Sequence, residues 1–189
     1  MSNKKIIIAI TGASGSILGK KIVEILSTLN VDTHLLISDA GKQTLIHECG
    51  NVINELASLC TIVHKNHDIG ASIASGSFKH DGMIVIPCSI KTLSSIANSY
   101  SSDLISRAAD VTLKEGRPLT LVVRETPFHK GHLDLMNKAV DNGAIIFPPI
   151  PAYYTQVESI DEQSNQLVGR ILQRSGIDNN INNEWNGLS

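Results

Sequence analysis

The chain has 189 residues, 42% of them hydrophobic and 18% charged, which suits one globular domain with a single sizeable core. Its formal net charge of −2 and its scattered basic residues argue against a nucleic-acid partner. No apolar run approaches the ~20 residues of a membrane-spanning helix, and residues 6–10 are too short for a signal-peptide core, so we expect a cytoplasmic protein.

Apolar strands and amphipathic helices alternate along the chain. Strands are predicted over residues 4–10, 31–37, 61–64, 82–86, 119–123 and 144–147. Helices are predicted over residues 15–30, 39–49, 91–99, 103–114, 129–141 and 160–173. This alternation predicts a single α/β domain, a doubly wound parallel sheet of the flavodoxin-like or Rossmann-like kind with helices on both faces. Residues 1–177 would form that domain, and residues 178–189 a C-terminal tail that is frayed or docks on a neighbour through Trp185.

Three loops of small, hydroxylated or charged residues follow predicted strands. They are Thr11-Gly12-Ala13-Ser14-Gly15, Pro87-Cys88-Ser89-Ile90-Lys91-Thr92 and Arg124-Glu125-Thr126-Pro127. In an open α/β sheet the carboxyl ends of the strands form the edge where ligands bind. The three loops therefore predict one ligand site.

The first of these loops favours a phosphate-bearing ligand. Glycines at a strand-to-helix turn let the backbone approach a phosphate at the helix N-terminus. The spacing of Gly12, Gly15 and Gly19 is not that of the dinucleotide motif, so a simple tight turn stays an alternative. Ser38 precedes Asp39 after the second strand, and a hydroxyl there suits a flavin or a mononucleotide at least as well as a dinucleotide.

Charged residues mark two further places. Arg107, Asp110 and Lys114 form one polar stripe of the helix 103–114, and the ordinary meaning of such a stripe is a solvated, ion-paired face. Arg124 and Glu125 close an apolar strand, and adjacent strand residues point to opposite faces. We expect one of this pair to face the ligand edge and the other to pack or pair.

Cysteine and histidine usage predicts neither disulfides nor a metal site. The odd set Cys49, Cys60 and Cys88 argues against a disulfide framework, and Cys88 is better explained as a small buried side chain than as a nucleophile. His129 and His132 could share a helix face, but no third ligand stands near them.

Five segments stand out: Ile86-Pro87-Cys88-Ser89-Ile90-Lys91-Thr92-Leu93, Ser106-Arg107-Ala108-Ala109-Asp110-Val111, Leu113-Lys114-Glu115, Val123-Arg124-Glu125-Thr126-Pro127 and residues 148–154. Together they closely resemble the UbiX family of flavin prenyltransferases, and the resemblance runs from the strand before Thr11 to about Ile177. The resemblance implies a metal-independent transferase that joins the dimethylallyl group of dimethylallyl monophosphate to N5 and C6 of reduced FMN. The prenylated FMN would serve a UbiD-type decarboxylase, as in ubiquinone biosynthesis. The resemblance also implies a large homo-oligomer, a dodecamer, whose active sites lie between subunits.

The same resemblance implies a role for individual residues. Those matching the flavin contacts are Gly12, Ala13, Ser14, Ser38, Ser89, Ile90, Lys91, Thr92 and Arg124. Tyr154 and Arg170 match the residues that hold the prenyl phosphate, and Arg107 and Lys114 match further cations of that pocket. Glu48 and Glu125 match acids near the reacting flavin, which could accept or relay a proton.

Two other functions stay open. One is a flavin-dependent cysteine decarboxylase, a related family that carries a histidine before the strand leading to its Pro-Ala-Ser loop; residues 71–77 contain no histidine. The other is a non-catalytic flavin-binding module. Four residues argue against such a module: Arg107, Lys114, Tyr154 and Arg170. Together they supply more positive charge than a bound flavin phosphate requires.

Overall fold

The computed structural model describes residues 3–182 and Gly187. Its strands are β1 Lys5–Ile10, β2 Asp32–Ile37, β3 Ile62–His64, β4 Gly82–Cys88, β5 Leu119–Val123 and β6 Ile145–Ile146. Its α-helices are α1 Ser16–Thr28, α2 Asp39–Cys49, α3 Ile53–Leu59, α4 Ile90–Ala97, α5 Leu104–Lys114, α6 Lys130–Asp141 and α7 Ile160–Arg174. Short 3₁₀ turns lie at Ser72–Ala74 and Tyr153–Thr155.

The strands form one parallel sheet in the order β3-β2-β1-β4-β5-β6. The order reverses at β1, where Ile6 lies opposite Thr33 of β2 on one side and Gly82 of β4 on the other. The fold class predicted from the sequence is confirmed, and the strand order is that of Rossmann-type sheets. Ligands of such sheets bind outside the carboxyl ends of the strands at the point of reversal.

The two faces of the sheet carry separate apolar cores. Ile6, Ile8 and Ile10 of β1 face the layer of α1 and α7, whereas Ile7 and Ala9 face the layer of α4, α5 and α6. Because helices cover both faces, β4 is buried along its whole length. This packing on both faces holds the carboxyl edge of the sheet in place.

Most observed bounds lie within a few residues of the predicted ones. The main addition is α3, in a region where the sequence predicted only a strand. α3 has only seven residues, so its apolar positions cover less than two turns and are too few to establish a helical period. β6 is shorter than predicted, since Pro148 and Pro149 follow Phe147 and cannot donate to a strand ladder. Among the described residues, no helix is both long and apolar enough to cross a membrane.

The described start of the C-terminal tail packs on α7 of its own chain. Ile177 is buried in the core beside α7. The Asn179 side chain donates to the Gly169 carbonyl at 3.1 Å, and the Asn182 side chain donates to Gln173 Oε1 at 3.2 Å. A side chain at Gly169 would lie within 3.0 Å of Asn182, so glycine permits this close approach. Trp185 lies outside the described residues.

Candidate active site

A cleft of about 510 Å³ opens at the carboxyl edge of the sheet. The three loops that follow predicted strands all contribute residues to its lining. The predicted flavin contacts that line it are Gly12, Ala13, Ser14, Ser38, Ser89, Ile90, Lys91, Thr92 and Arg124. All nine therefore lie where the sequence placed them, around one cavity.

Thr11 ties the first two loops together. Its hydroxyl donates to the Pro87 carbonyl at 2.7 Å and accepts the Ser89 N–H at 2.8 Å. The Thr11 residue is only 1% exposed, so both hydrogen bonds are sheltered from water. The sequence did not predict this role of Thr11, because its two hydrogen-bond partners lie 76 and 78 residues further along the chain.

The N-termini of α2 and α4 both open onto the cleft. Ser38 caps α2 by accepting the Gly41 N–H at 3.0 Å, and Ser89 caps α4 by accepting the Thr92 N–H at 3.3 Å. A helix N-terminus carries a partial positive charge and N–H groups that suit an anion. Lys91 and Arg124 add two cations to the same lining. This part of the cleft is built to accept a phosphate.

The N-terminus of α1 is already occupied by a carboxylate of the chain itself. Gly15 begins the helix with a positive φ of 95° and has no side chain to cap it. Both carboxylate oxygens of Glu48, from the last turn of α2, accept the Gly15 N–H. Glu48 thus lies beside the first loop without lining the cleft itself.

The opposite wall consists of Asn66 and the start of α5, neither of which sequence reasoning assigned to the site. The Asn66 carbonyl accepts the Leu104 N–H at 2.8 Å, and Asn66 Oδ1 accepts the Ile105 N–H at 3.0 Å. Asp103 and Ser106 form a reciprocal capping box. The pattern Asp103-x-x-Ser106 could have signalled this cap, but the distant Asn66 has no such local signature.

Arg124 and Glu125 both line the cleft, so the expectation that only one of them faces the ligand edge is wrong. β5 ends at Val123, and strand alternation does not extend into the loop that follows. Glu125 Oε1 accepts the Thr126 N–H at 3.0 Å. Within the described part of the chain, Glu125 makes no ion pair.

Cys88 ends β4 beside this cleft and is fully buried. Burial raises the pKa of its thiol well above the ordinary range, which keeps the sulfur protonated and unreactive. The interpretation of Cys88 as a small buried side chain is confirmed.

Arg107 and Lys114 lie on α5 and do not line the cleft of their own chain. Arg107 pairs with Asp110 at 3.0 Å and donates to the Ala74 carbonyl at 3.1 Å. Lys114 pairs with Glu115 at 2.8 Å, and this hydrogen bond lowers the pKa of the Glu115 carboxyl. The stripe is thus an ion-paired face within one chain.

Tyr154 and Arg170 line a small recess of about 120 Å³. A shallow groove leads from this recess to the cleft. Gln163 and Leu167 line both the recess and the groove, while Ser14 and Arg124 line both the groove and the cleft. Arg170 is exposed and donates to Gln173 Oε1 at 3.1 Å. The recess and the cleft therefore form one continuous surface.

Across residues 3–182 and Gly187, no three histidine, cysteine, aspartate or glutamate side chains are grouped so that they could hold a metal ion.

The sequence matches the flavoprotein family model over residues 1–172. A curated relative, flavin prenyltransferase UbiX of Thauera aromatica, is 48% identical over 183 residues, which cover 97% of this chain and 94% of the relative.

Solved structures show the same likeness. A crystal structure of AnUbiX (PadA1) in complex with FMN and dimethylallyl pyrophosphate superposes with a TM-score of 0.97 at 44% identity, covering 100% of both chains. A dodecameric FMN-dependent UbiX-like decarboxylase from Escherichia coli O157:H7 superposes with a TM-score of 0.94 at 41% identity, covering 97% of this chain and 100% of that one.

Proposed function

This chain belongs to the flavin prenyltransferase family, and from that premise we propose that it joins the dimethylallyl group of dimethylallyl monophosphate to N5 and C6 of reduced FMN. The observation that carries the proposal is the continuous surface from the cleft to the Tyr154 and Arg170 recess. It offers adjoining places for a flavin nucleotide and for a second, phosphorylated substrate.

The flavin occupies the cleft in this proposal. The capped N-termini of α2 and α4, together with Lys91 and Arg124, supply donors and positive charge for the FMN phosphate and its polar ring atoms. Thr11 fixes the relative position of the two loops that carry these groups. The two loops that hold the flavin are thus fixed relative to each other, which favours one defined position for flavin N5 and C6.

The prenyl phosphate binds at the recess. When its allylic C–O bond breaks, the phosphate leaves as a dianion, and a cation and a hydroxyl that grip it more tightly at that moment lower the barrier. Arg170 and Tyr154 supply these groups. The allylic carbon bonds to flavin N5, and no metal is required because side chains neutralise a single phosphate.

Arg107 and Lys114 reach the phosphate from a neighbouring subunit. They line neither the cleft nor the recess of their own chain, so the proposal requires an assembly. Exposed apolar side chains on α6 and just before it, Phe128, Leu133 and Val140, support an oligomer. A dodecamer like the UbiX-like relative, with sites between subunits, is the assembly we propose.

Ring closure at C6 completes the reaction: the prenyl double bond gains a proton, its tertiary carbon bonds to C6, and C6 loses its proton. Glu125 lines the cleft and, within the described residues, is not neutralised by an ion pair, which suits a group that accepts or relays this proton. Glu48 does not line the cleft, and in this proposal it positions the Gly12 to Ser14 turn instead of taking the proton. The product, prenylated FMN, would then serve as the cofactor of a UbiD-type decarboxylase.

Anaerobic incubation of the protein with reduced FMN and dimethylallyl monophosphate tests the proposal. We expect a flavin product heavier by one C5H8 unit, detected by mass spectrometry. Arg170→Ala should slow its formation while leaving FMN binding unchanged, since loss of a charge-assisted hydrogen bond costs about 1.5 to 3 kcal/mol. Arg174→Ala, an exposed arginine on the same helix outside the recess, is the matched control. A protein that binds FMN but forms no heavier flavin contradicts the proposal.

A further inference from the structure

Lys21 is a buried lysine on α1 that lines neither the cleft, the recess nor the groove between them. The residue is 9% exposed. Its Nζ pairs with Asp161 Oδ1 and donates to Asn165 Oδ1 at 3.1 Å. Both acceptors belong to the first two turns of α7. Lys21 therefore joins α1 to the start of α7.

The two helices that Lys21 joins form the walls of the groove. Ile17 and Leu18 line it from the first turn of α1. The residues that line it from α7 are Ile160, Gln163, Ser164 and Leu167. Because Lys21 follows Ile17 by four residues, it lies on the same face of α1, one turn behind the groove. A change in the Lys21 contact would therefore change the separation of the groove walls.

The start of α7 has few other anchors. Val168, Ile171 and Leu172 bury the second half of the helix in the core. In its first two turns, which lie within the described residues, Ser164 is the only fully buried residue and Leu167 is partly buried. The position of this half of α7 thus depends on its polar contact with Lys21.

Burial of Lys21 makes the contact decisive for helix position. A buried ammonium group is stable only where acceptors replace the water that it has lost. The hydrogen bond from Lys21 lowers the pKa of the Asp161 carboxyl, which keeps this acceptor ionised. The Asp161 side chain is 68% exposed, so water solvates it when its partner is removed. The need for acceptors therefore lies on the Lys21 side, and it is met only when α7 starts close against α1.

We propose that Lys21 is a positioning residue: by holding the first two turns of α7 against α1, it sets the width of the groove along which the dimethylallyl group reaches flavin N5. This role rests on the proposed function, in which the prenyl phosphate binds at the recess. A misplacement of about 1 Å can lower a reaction rate by about 100-fold. Tyr154 and Arg170 still hold the phosphate when Lys21 is replaced, so the maximal rate should depend on Lys21 more than the substrate affinity does.

Single-turnover assays of Lys21 variants test this role. Reduced FMN is bound first, dimethylallyl monophosphate is added without oxygen, and the rate of N5–carbon bond formation is expressed per FMN-bound site. Lys21→Met removes the charge but keeps an unbranched side chain, and the maximal rate should fall about 10- to 100-fold. The dissociation constant of FMN and the half-saturating concentration of the prenyl phosphate should each stay within about threefold of the wild type, since neither site contains Lys21. Lys21→Arg keeps a cation and should restore the rate.

Two further variants separate the contact from a general effect of charge or stability. Lys20→Met removes the same charge from the next residue, which pairs with Glu24 of its own helix, and should leave the rate unchanged. Asp161→Ala removes an acceptor from the exposed side of the contact and should slow the wild-type protein. It should not slow Lys21→Met further, because both substitutions break one contact.

The outcomes divide as follows between the two proposals. A wild-type rate in Lys21→Met, equal slowing by Lys20→Met, or loss of FMN binding along with the rate would overturn the role of Lys21. If Lys21→Met failed to fold, Asp161→Ala would decide, and a wild-type rate in that variant would overturn the role as well. Failure of the wild-type protein to form any heavier flavin would instead contradict the proposed function.

Discussion

Glu48 accepts the Gly15 N–H through both carboxylate oxygens, at 3.0 and 3.1 Å. The two residues are 33 positions apart, and their contact joins the last turn of α2 to the start of α1. Glycine at the N-cap has no side chain to accept the N–H groups of the first turn, and Glu48 accepts the N–H of the N-cap residue itself, as a glutamate does in a capping box. The Gly12 to Ser14 turn, which lines the cleft, is thereby held from outside the cavity.

Glu48→Ala should loosen this turn. Because the Gly15 N–H loses its acceptor, we expect FMN to bind about 10- to 150-fold more weakly, the equivalent of the roughly 1.5 to 3 kcal/mol of a lost hydrogen bond to a charged group. Glu48→Gln keeps one acceptor oxygen and should bind FMN within about threefold of the wild type, as checked by fluorescence titration. Equal affinity of the alanine and glutamine variants would show that the contact does not position the turn.

Thr11 offers a sharper test of site assembly, because valine has nearly its shape. Thr11→Val leaves the half-buried Ser89 N–H without its acceptor, which should lower the free energy of unfolding by about 1 to 3 kcal/mol. It should also weaken FMN binding, since Ser89 caps the helix that faces the cleft. Thr11→Ser keeps the hydroxyl and should restore flavin affinity. Chemical denaturation and flavin titration measure the two effects, and tight FMN binding by the valine variant would contradict this role.

A histidine pair, of which His34 is the buried member, predicts how stability depends on pH. His34 is 3% exposed, and its Nδ1 lies 2.9 Å from His64 Nε2. Burial, followed by the charges of His64 and Lys5, lowers the pKa of His34 to about 4. Below its ordinary pKa of about 6.5 the unfolded chain binds a proton that the folded chain does not. The contribution of His34 to stability is therefore complete above pH 6.5 and is lost as the pH falls toward 4.

We expect the free energy of unfolding to fall by about 1 to 3 kcal/mol between pH 7 and pH 4.5 from this group. Burial lowers the pKa values of His64 and His80 too, so the effect of His34 is read from a difference between proteins. His34→Gln should lose less stability than the wild type over that range in urea denaturation. His67→Gln, at an exposed position, is the control. Equal losses in wild type and His34→Gln would contradict the assignment.

The sequence predicted those parts of the site that are local in the chain. Ser38 and Ser89 each stand between an apolar strand and a helix, so their caps and their place at the sheet edge follow from neighbouring residues alone. The bonds of Thr11 to Ser89 and of Asn66 to α5 join segments far apart in sequence, and they depend on how strands and loops come together in three dimensions. The sequence placed Glu125 in the loop after β5, but strand alternation does not extend into that loop and could not show that Arg124 and Glu125 both line the cleft.

Glu125→Gln separates bond formation from ring closure. The amide keeps an oxygen that can accept the Thr126 N–H, so the loop should keep its shape while the base is removed. Formation of the N5–carbon bond breaks the allylic C–O bond, and the departing phosphate can take the N5 proton, so this step should proceed without Glu125 as the proton acceptor. Closure at C6 needs one, and loss of general-base catalysis lowers that rate by about 10² to 10⁴. The open, N5-prenylated flavin should therefore accumulate, and chromatography with absorption spectra of quenched samples distinguishes it from its closed isomer.

A purely structural role for Glu125 leads to a different result. If its carboxylate only holds the pocket in shape, for instance by pairing with an arginine of a neighbouring subunit, Glu125→Gln should weaken binding of both substrates, and no intermediate should accumulate. Glu55→Gln, exposed on α3, controls for the loss of one negative charge. Closed product at the wild-type rate would rule out proton relay by Glu125. Because within the described residues Glu125 lines the cleft without an ion pair, we expect the open flavin instead.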